Sequence, residues 1–206
     1  MPHVREPVVH PVAIKALRPT QMTVGLREVE AKRASWRARG SRSGEDYLGQ
    51  HLIPVILGPK ERRYLIDHHH LARALLEEGV ENILVTVVAN LSHLDRDGFW
   101  FAMDMHQWAH PYDAHGHRRS HEDLPKTVKG LADDPFRSLA GELRLAGGFA
   151  KDTTPFSEFL WADFLRRRLA RKLVDRDFEA ALAEATALAH SQDATYLPGW
   201  SGASPR

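Results

Sequence analysis

Between residues 51 and 91 short apolar runs flank one helical stretch. His51-Leu52-Ile53-Pro54-Val55-Ile56-Leu57 reads as a strand, Gly58-Pro59-Lys60-Glu61 as a turn and Arg62-Arg63-Tyr64-Leu65-Ile66 as a second strand, which predicts a hairpin. Asp67 stands at an N-cap position, Leu71, Ala74, Leu75 and Glu78 follow at helical spacing, and Gly79 sits where a helix stops. Asn82 to Ala89 is apolar on both faces, the pattern of a buried central strand. Upstream, Val8 to Leu17 is extended, and Pro7 and Pro11 confine it to a sheet edge. Arg18-Pro19-Thr20 turns the chain, Thr20 caps a predicted helix running to about Arg39, and Gly40 to Gly44 interrupts it.

Beyond residue 92 the pattern is helical. Asp95 or Asp97 opens a helix through Trp108, ended by Pro111. Asp134 to Ala146 has Pro135 at its first helical position and Gly147-Gly148 as a stop. Pro155 to Leu173 presents Phe156, Phe159, Leu160, Trp161, Phe164 and Leu165 as a broad apolar stripe, and Asp177 to His190 is a further amphipathic helix. The tail from Leu197 carries Pro and Gly and is expected to fray. The predicted class is α+β: a domain over 1–91 with a small mixed sheet and helices, and a helical C-terminal extension over 92–206 packed on it.

Composition narrows the chemistry. With 206 residues, 43 % apolar and 27 % charged, the chain is an ordinary globular one. Lys plus Arg is 28 against 27 for Asp plus Glu, so there is no chain-wide basic field and any nucleic-acid contact must be local. The absence of cysteine removes disulfides, thiolate catalysis and Cys-rich zinc sites. No apolar run approaches the roughly eighteen residues of a membrane span, and Met1 to Pro7 lacks a secretory apolar core, so the expected setting is the cytoplasm. Histidine stands out: of 13, nine lie between His68 and His121.

The densest cluster is Asp67-His68-His69-His70, at the predicted strand-to-helix junction. First-turn amides and the positive end of a helix dipole form an anion site, to which imidazoles add donors. The dipole also favours neutral imidazole, suited to proton transfer. A tri-histidine metal site conflicts with helical geometry, because successive side chains point about 100° apart. His106 and His110, four apart, could share a metal with Asp113, His115, His117 or His121, but the glutamate that marks a zinc hydrolase helix is missing. No metal site is expected.

The run from Pro54-Val55-Ile56-Leu57 through Tyr64-Leu65-Ile66-Asp67-His68-His69-His70-Leu71-Ala72-Arg73-Ala74-Leu75 to Val85-Thr86-Val87-Val88 resembles the ParB/sulfiredoxin superfamily. Its members place a polar box between a strand and a helix: Gly-Glu-Arg-Arg in ParB proteins, Gly-Cys-His-Arg in sulfiredoxins, Asp-Gly-His-His-Arg in relatives that include free-serine kinases. Leu17-Arg18-Pro19-Thr20-Gln21, Asp134-Pro135-Phe136-Arg137-Ser138-Leu139-Ala140, Ala146-Gly147-Gly148-Phe149-Ala150-Lys151 and Pro155-Phe156-Ser157-Glu158-Phe159 resemble the group of ParB-like nucleases. The resemblance implies a box that binds nucleotide phosphates, faced across a cleft by Arg18, Glu28 and Lys32. This chain has no cysteine for sulfiredoxin chemistry, His68 where the kinase-type relatives have Gly, and Leu71 where they have Arg.

The resulting expectation is an enzyme acting on phosphate esters, a phosphotransferase or a phosphodiesterase/nuclease. A phosphate-containing small molecule or nucleotide with Mg²⁺ would sit at the box. His68, Arg18 and Lys32 would be ligand-binding, and Asp67, His69, His70 and Glu28 catalytic. The alternative is a non-catalytic nucleotide- or DNA-binding module of chromosome-partitioning or regulatory type. Arg166-Arg167-Arg168 with Arg171-Lys172 could reach DNA phosphates, although basic residues also stabilise a helix C-terminus without any partner.

Overall fold

The computed structural model describes residues 9–202, with side chains undescribed at 9, 10, 40–48 and 50. The Met1 to Pro7 segment and the last four residues lie outside the described range. In chain order the elements are β1 (Val9–Ala13), β2 (Arg18–Pro19), β3 (Thr23–Val24), α1 (Leu26–Gln50), β4 (Ile53–Gly58), β5 (Arg62–Leu65), α2 (His69–Glu77), β6 (Asn82–Asn90) and α3 (Arg96–Met105). Then come β7 (Ala132–Asp133), α4 (Pro135–Leu145), α5 (Ser157–Arg166), α6 (Arg171–Arg176) and α7 (Phe178–Ala189). The fold is α+β with a mixed sheet.

Contacts divide the chain into two units: one holds residues 1–22, 29–111 and 119–131, the other 23–28, 112–118 and 132–206. The sequence placed a boundary after residue 91, yet α3 belongs to the first unit. The reason is aromatic packing: Phe99 and Met103 of α3 are fully buried in one cluster with Ile56 and Tyr64.

The first unit carries a five-stranded sheet in the order β1-β6-β4-β5-β2. β1 lies antiparallel at the edge, with Pro11 opposite Leu84, a place where a missing N–H is tolerated. β4 and β5 form the expected antiparallel hairpin, and β6 runs parallel to β4. β6 is an inner strand whose faces differ: Ile83 and Val85 are buried, Leu84 and Thr86 are half-buried, and Val88 is 51 % exposed. β2 adds parallel to β5, setting Arg18 opposite Tyr64 and Pro19 opposite Leu65. Against α2, Arg33 of α1 bonds Glu78 at 2.6 Å and Glu77 at 3.1 Å.

Two helix expectations change in this unit. Thr20 caps no helix; it is buried, and its hydroxyl donates to the Leu65 carbonyl at 2.7 Å. α2 starts at His69, and Asp67 is not its N-cap; that place is taken by His68, in the left-handed region at φ 61°.

The second unit begins with β3, which pairs parallel with β7, and with the first turn of α1. The start of α1 is capped from far along the chain, by Asp133, whose Oδ1 accepts from the Leu26 N–H at 3.0 Å. A side chain at Gly25 would lie 2.8 Å from the Ser138 backbone, so this close approach requires glycine. The α1 backbone continues helically to Gln50, through the glycines expected to interrupt it.

Trp161, Phe164 and Leu165 of α5 are buried with Leu139 and Leu143 of α4 and Ala181 and Ala185 of α7. The helix expected over Pro155 to Leu173 is two, because the chain breaks between Arg166 and Arg171. The tail does not fray as far as Gly202: the Trp161 indole donates to the Pro198 carbonyl at 2.9 Å, the Ala150 N–H donates to the Gly199 carbonyl at 2.7 Å, and Leu197 is buried.

Gly58 ends β4 under two rings: a Cβ there would stand 2.6 Å from Tyr64 and 2.7 Å from Phe99. Gly58→Ala should therefore destabilise the protein by about 1–3 kcal/mol, as overpacking does. Urea denaturation followed by tryptophan fluorescence measures it, and an unchanged midpoint would contradict this packing.

Candidate functional site

The box opens where β5 ends. Asp67 is exposed, and its Oδ1 accepts from the His68 N–H at 2.6 Å. His68 holds positive φ, a conformation that suits glycine and costs other residues about 1–2 kcal/mol. Its carbonyl accepts from the Ala72 N–H at 2.9 Å, and its side chain gives no cap to α2. The glycine that kinase-type relatives carry at this position is the residue the backbone geometry favours.

His69 is 3 % exposed, and its Nε2 lies 3.2 Å from the Thr20 amide nitrogen. A backbone N–H can only donate, so Nε2 is the unprotonated nitrogen and the proton of the neutral ring sits on Nδ1. Burial pushes the His69 imidazole well below the usual histidine range, and the His70 and His68 imidazoles add to that; a hydrogen bond to the Leu65 backbone acts the other way. The Leu65 carbonyl also receives the Thr20 hydroxyl, so Thr20, Leu65 and His69 form one buried polar knot. His70 is buried as well.

Leu71 is buried at 3 % exposure and supplies no cation to the box. Arg73 faces elsewhere: its Nη1 donates to the carbonyls of Lys129 at 2.9 Å and Leu131 at 2.8 Å, and its Nε pairs with Glu77.

Arg18 lines a separate cleft with Tyr64 and Trp100. Glu28 belongs to the second unit, where its carboxylate lies 3.4 Å from the Arg137 guanidinium. Lys32 is half-buried on α1. The box itself brings together Asp67, His68, His69 and His70 with Thr20.

The remaining histidines scatter. α3 ends at Met105, so His106 and His110 share no helical face; His106 stacks on Trp108 at 4.2 Å, and the His110 N–H donates to the Thr20 carbonyl. His115 and His117 sit on a turn whose amides bond Asp113. Among the described residues no three His, Asp or Glu side chains stand close enough to hold a metal ion.

The basic run of α5 is spent inside its own unit. Arg166 bonds Asp134 at 2.6 Å and Asp163 at 3.0 Å, Arg167 bonds Asp163 at 2.6 Å, and Arg168 lies over the Phe164 ring at 3.9 Å. Burial raises the Asp134 carboxyl above the usual carboxylate range, and Arg166 opposes that shift. Among the described residues no helix is long and apolar enough to cross a membrane.

One residue pair escaped sequence reasoning: His121, whose Nε2 lies 3.0 Å from Asp104 Oδ1. Seventeen residues separate them, and no short-range spacing flags such a contact.

The buried His69 has a stability consequence. Its folded pKa lies below the unfolded value of about 6.5, so its contribution is present above that value and is lost as pH falls. Below pH 6.5 the loss should be roughly 1 kcal/mol per pH unit. Denaturant titrations between pH 7.5 and about 5 should show a shallower acid slope for His69→Gln than for the parent protein. Equal slopes would contradict a neutral buried imidazole.

Comparison with known proteins places this geometry in a family. The sequence profile of the family described as "Putative ParB-like nuclease" matches residues 10–167. The crystal structure of protein Atu1540 from Agrobacterium tumefaciens is 55 % identical, covers 95 % of this chain and 99 % of its own, and superposes with a TM-score of 0.88. The C-terminally truncated chromosome-partitioning protein ParB from Caulobacter crescentus, complexed with CTP-gamma-S, is 14 % identical, with 91 % and 94 % coverage and a TM-score of 0.33. No curated protein matches the sequence. The match extends from β1 to the end of α5 and takes in the whole strand–box–helix segment, and on that extent the chain belongs to the ParB-like family.

Proposed function

We propose that the first unit is a phosphate- or nucleotide-binding module and that the start of α2 receives the phosphate. The observation that carries this reading is the uncapped start of a helix whose entry is pinned. α2 begins without a side-chain cap from His68, and the first-turn N–H groups and dipole of a helix start favour an anion. The His69–Thr20 bond fixes that entry from below, and the ParB-like family membership supports the same assignment.

Within this reading His69 is a positioning residue. Its Nε2 is committed to a backbone donor and burial keeps it neutral, so it holds the box and does not carry protons. Asp67 is the exposed carboxylate of the box. Mg²⁺ is commonly held by one or two carboxylates together with substrate phosphates, and Asp67 fits that donor set. Mg²⁺ would supply charge neutralisation on the phosphates. Binding is the core of this reading, and turnover would be a further step. If turnover occurs, its class is phosphoryl transfer or phosphodiester hydrolysis, with His70 and Asp67 left as the titratable groups.

A thermal-shift panel of pyrophosphate, ATP, ADP and CTP, with and without Mg²⁺, tests the proposal. A ligand at a hundred times its dissociation constant should add about 2.7 kcal/mol of stability. Asp67→Asn should remove the Mg²⁺-dependent part of the shift and leave the rest. Silence across the panel would overturn the assignment.

A further inference from the structure

A second feature of the first unit has no role in that reading. The turn between β4 and β5, the β2 strand, α3 and the segment 121–126 enclose a cleft of about 670 Å³. That is within the roughly 300–1,000 Å³ of small-ligand sites. Arg18, Lys60, Arg62 and Lys126 line it, and among the described residues none of these four has a carboxylate partner. The fifth cation, Arg96, is paired with Glu122 at 2.6 Å. Uncompensated positive charge therefore collects in one concavity of a chain whose net charge is only +1.

The lining is also aromatic. The His121 ring lies flat on Trp100, 4.5 Å between centroids and 7° between planes. Trp100 is braced edge-on by Phe99 at 5.0 Å and Tyr64 at 5.5 Å. Asp104 holds His121 through Nε2, and Nδ1 has no partner among the described residues. A ring fixed on one nitrogen by a carboxylate and left open on the other is the arrangement of an oriented hydrogen-bonding imidazole.

We propose that this cleft is a binding site for a phosphate ester that carries a planar base. Arg18, Lys60, Arg62 and Lys126 meet the phosphate charge, the Trp100–His121 pair offers the base a flat surface, and His121 Nδ1 supplies a hydrogen bond. The site is independent of the box: it uses none of Asp67, His68, His69 or His70.

The test uses adenosine monophosphate and a short oligothymidylate as probes, titrated by calorimetry and by NMR at low salt. Arg62 and Lys126 are exposed, so Arg62→Gln/Lys126→Gln should fold normally. The double variant should weaken binding by about tenfold or more, the shift expected when two charge-assisted contacts are lost. The Trp100 indole and His121 ring signals should move on ligand addition. Tighter binding of either probe supports the site and identifies its source as a free nucleotide or a strand. Unchanged affinity in the double variant, or no binding of either probe, would overturn it. Shifts confined to the amides of residues 69–71 would also overturn it while leaving the box assignment standing.

Discussion

The box is anchored by a long-range hydrogen bond from the Thr20 N–H to Nε2 of His69. Its partners are 49 residues apart, and it ties the exit of β2 to the entry of α2. The bond exists only while the imidazole is neutral, since a protonated Nε2 would face another donor. Burial enforces that neutrality by making the charged form expensive. The Thr20 hydroxyl doubles the connection through the Leu65 carbonyl. Around this knot the backbone adopts the left-handed turn at His68 that leads into α2 with no side-chain cap.

The same bond separates roles among adjacent residues of the box. His69 is used for architecture, His68 for a strained turn, and Asp67 stays at the surface. Charge is divided just as sharply. The arginines of α5 face Asp134 and Asp163, so a sequence rich in positive charge leaves little of it there for a ligand. Four of the five cations of the first unit's cleft lack such partners among the described residues; the fifth, Arg96, is paired with Glu122. A basic run in sequence is thus a weaker guide to anion binding than scattered basic residues that converge.

Features set by near neighbours were legible in the sequence. The β4–β5 hairpin, α4 with Asp134 and Pro135 at its start, and α7 after Asp177 all follow from spacing within a few residues. The strand–box–helix segment was recognisable because its order of residue types is itself local. What escaped depends on distant partners. Thr20 has the chemistry of a helix cap, yet its hydroxyl is spent on a carbonyl 45 residues away, while the cap of α1 comes from Asp133, 107 residues from Leu26. Arg18, which the resemblance sets across a cleft from the box, lines a cleft with Tyr64 because β2 pairs with β5 in that register. The Asp104–His121 pair is invisible for the same reason.

The most direct test of this account is the protonation state of His69, read by long-range ¹H–¹⁵N NMR of its ring while pH is lowered. The account predicts a neutral ring carrying its proton on Nδ1 well below the usual histidine pKa of about 6.5. A His69 that titrates near that value, or that carries its proton on Nε2, would contradict the bond to Thr20 and the pinned helix entry built on it.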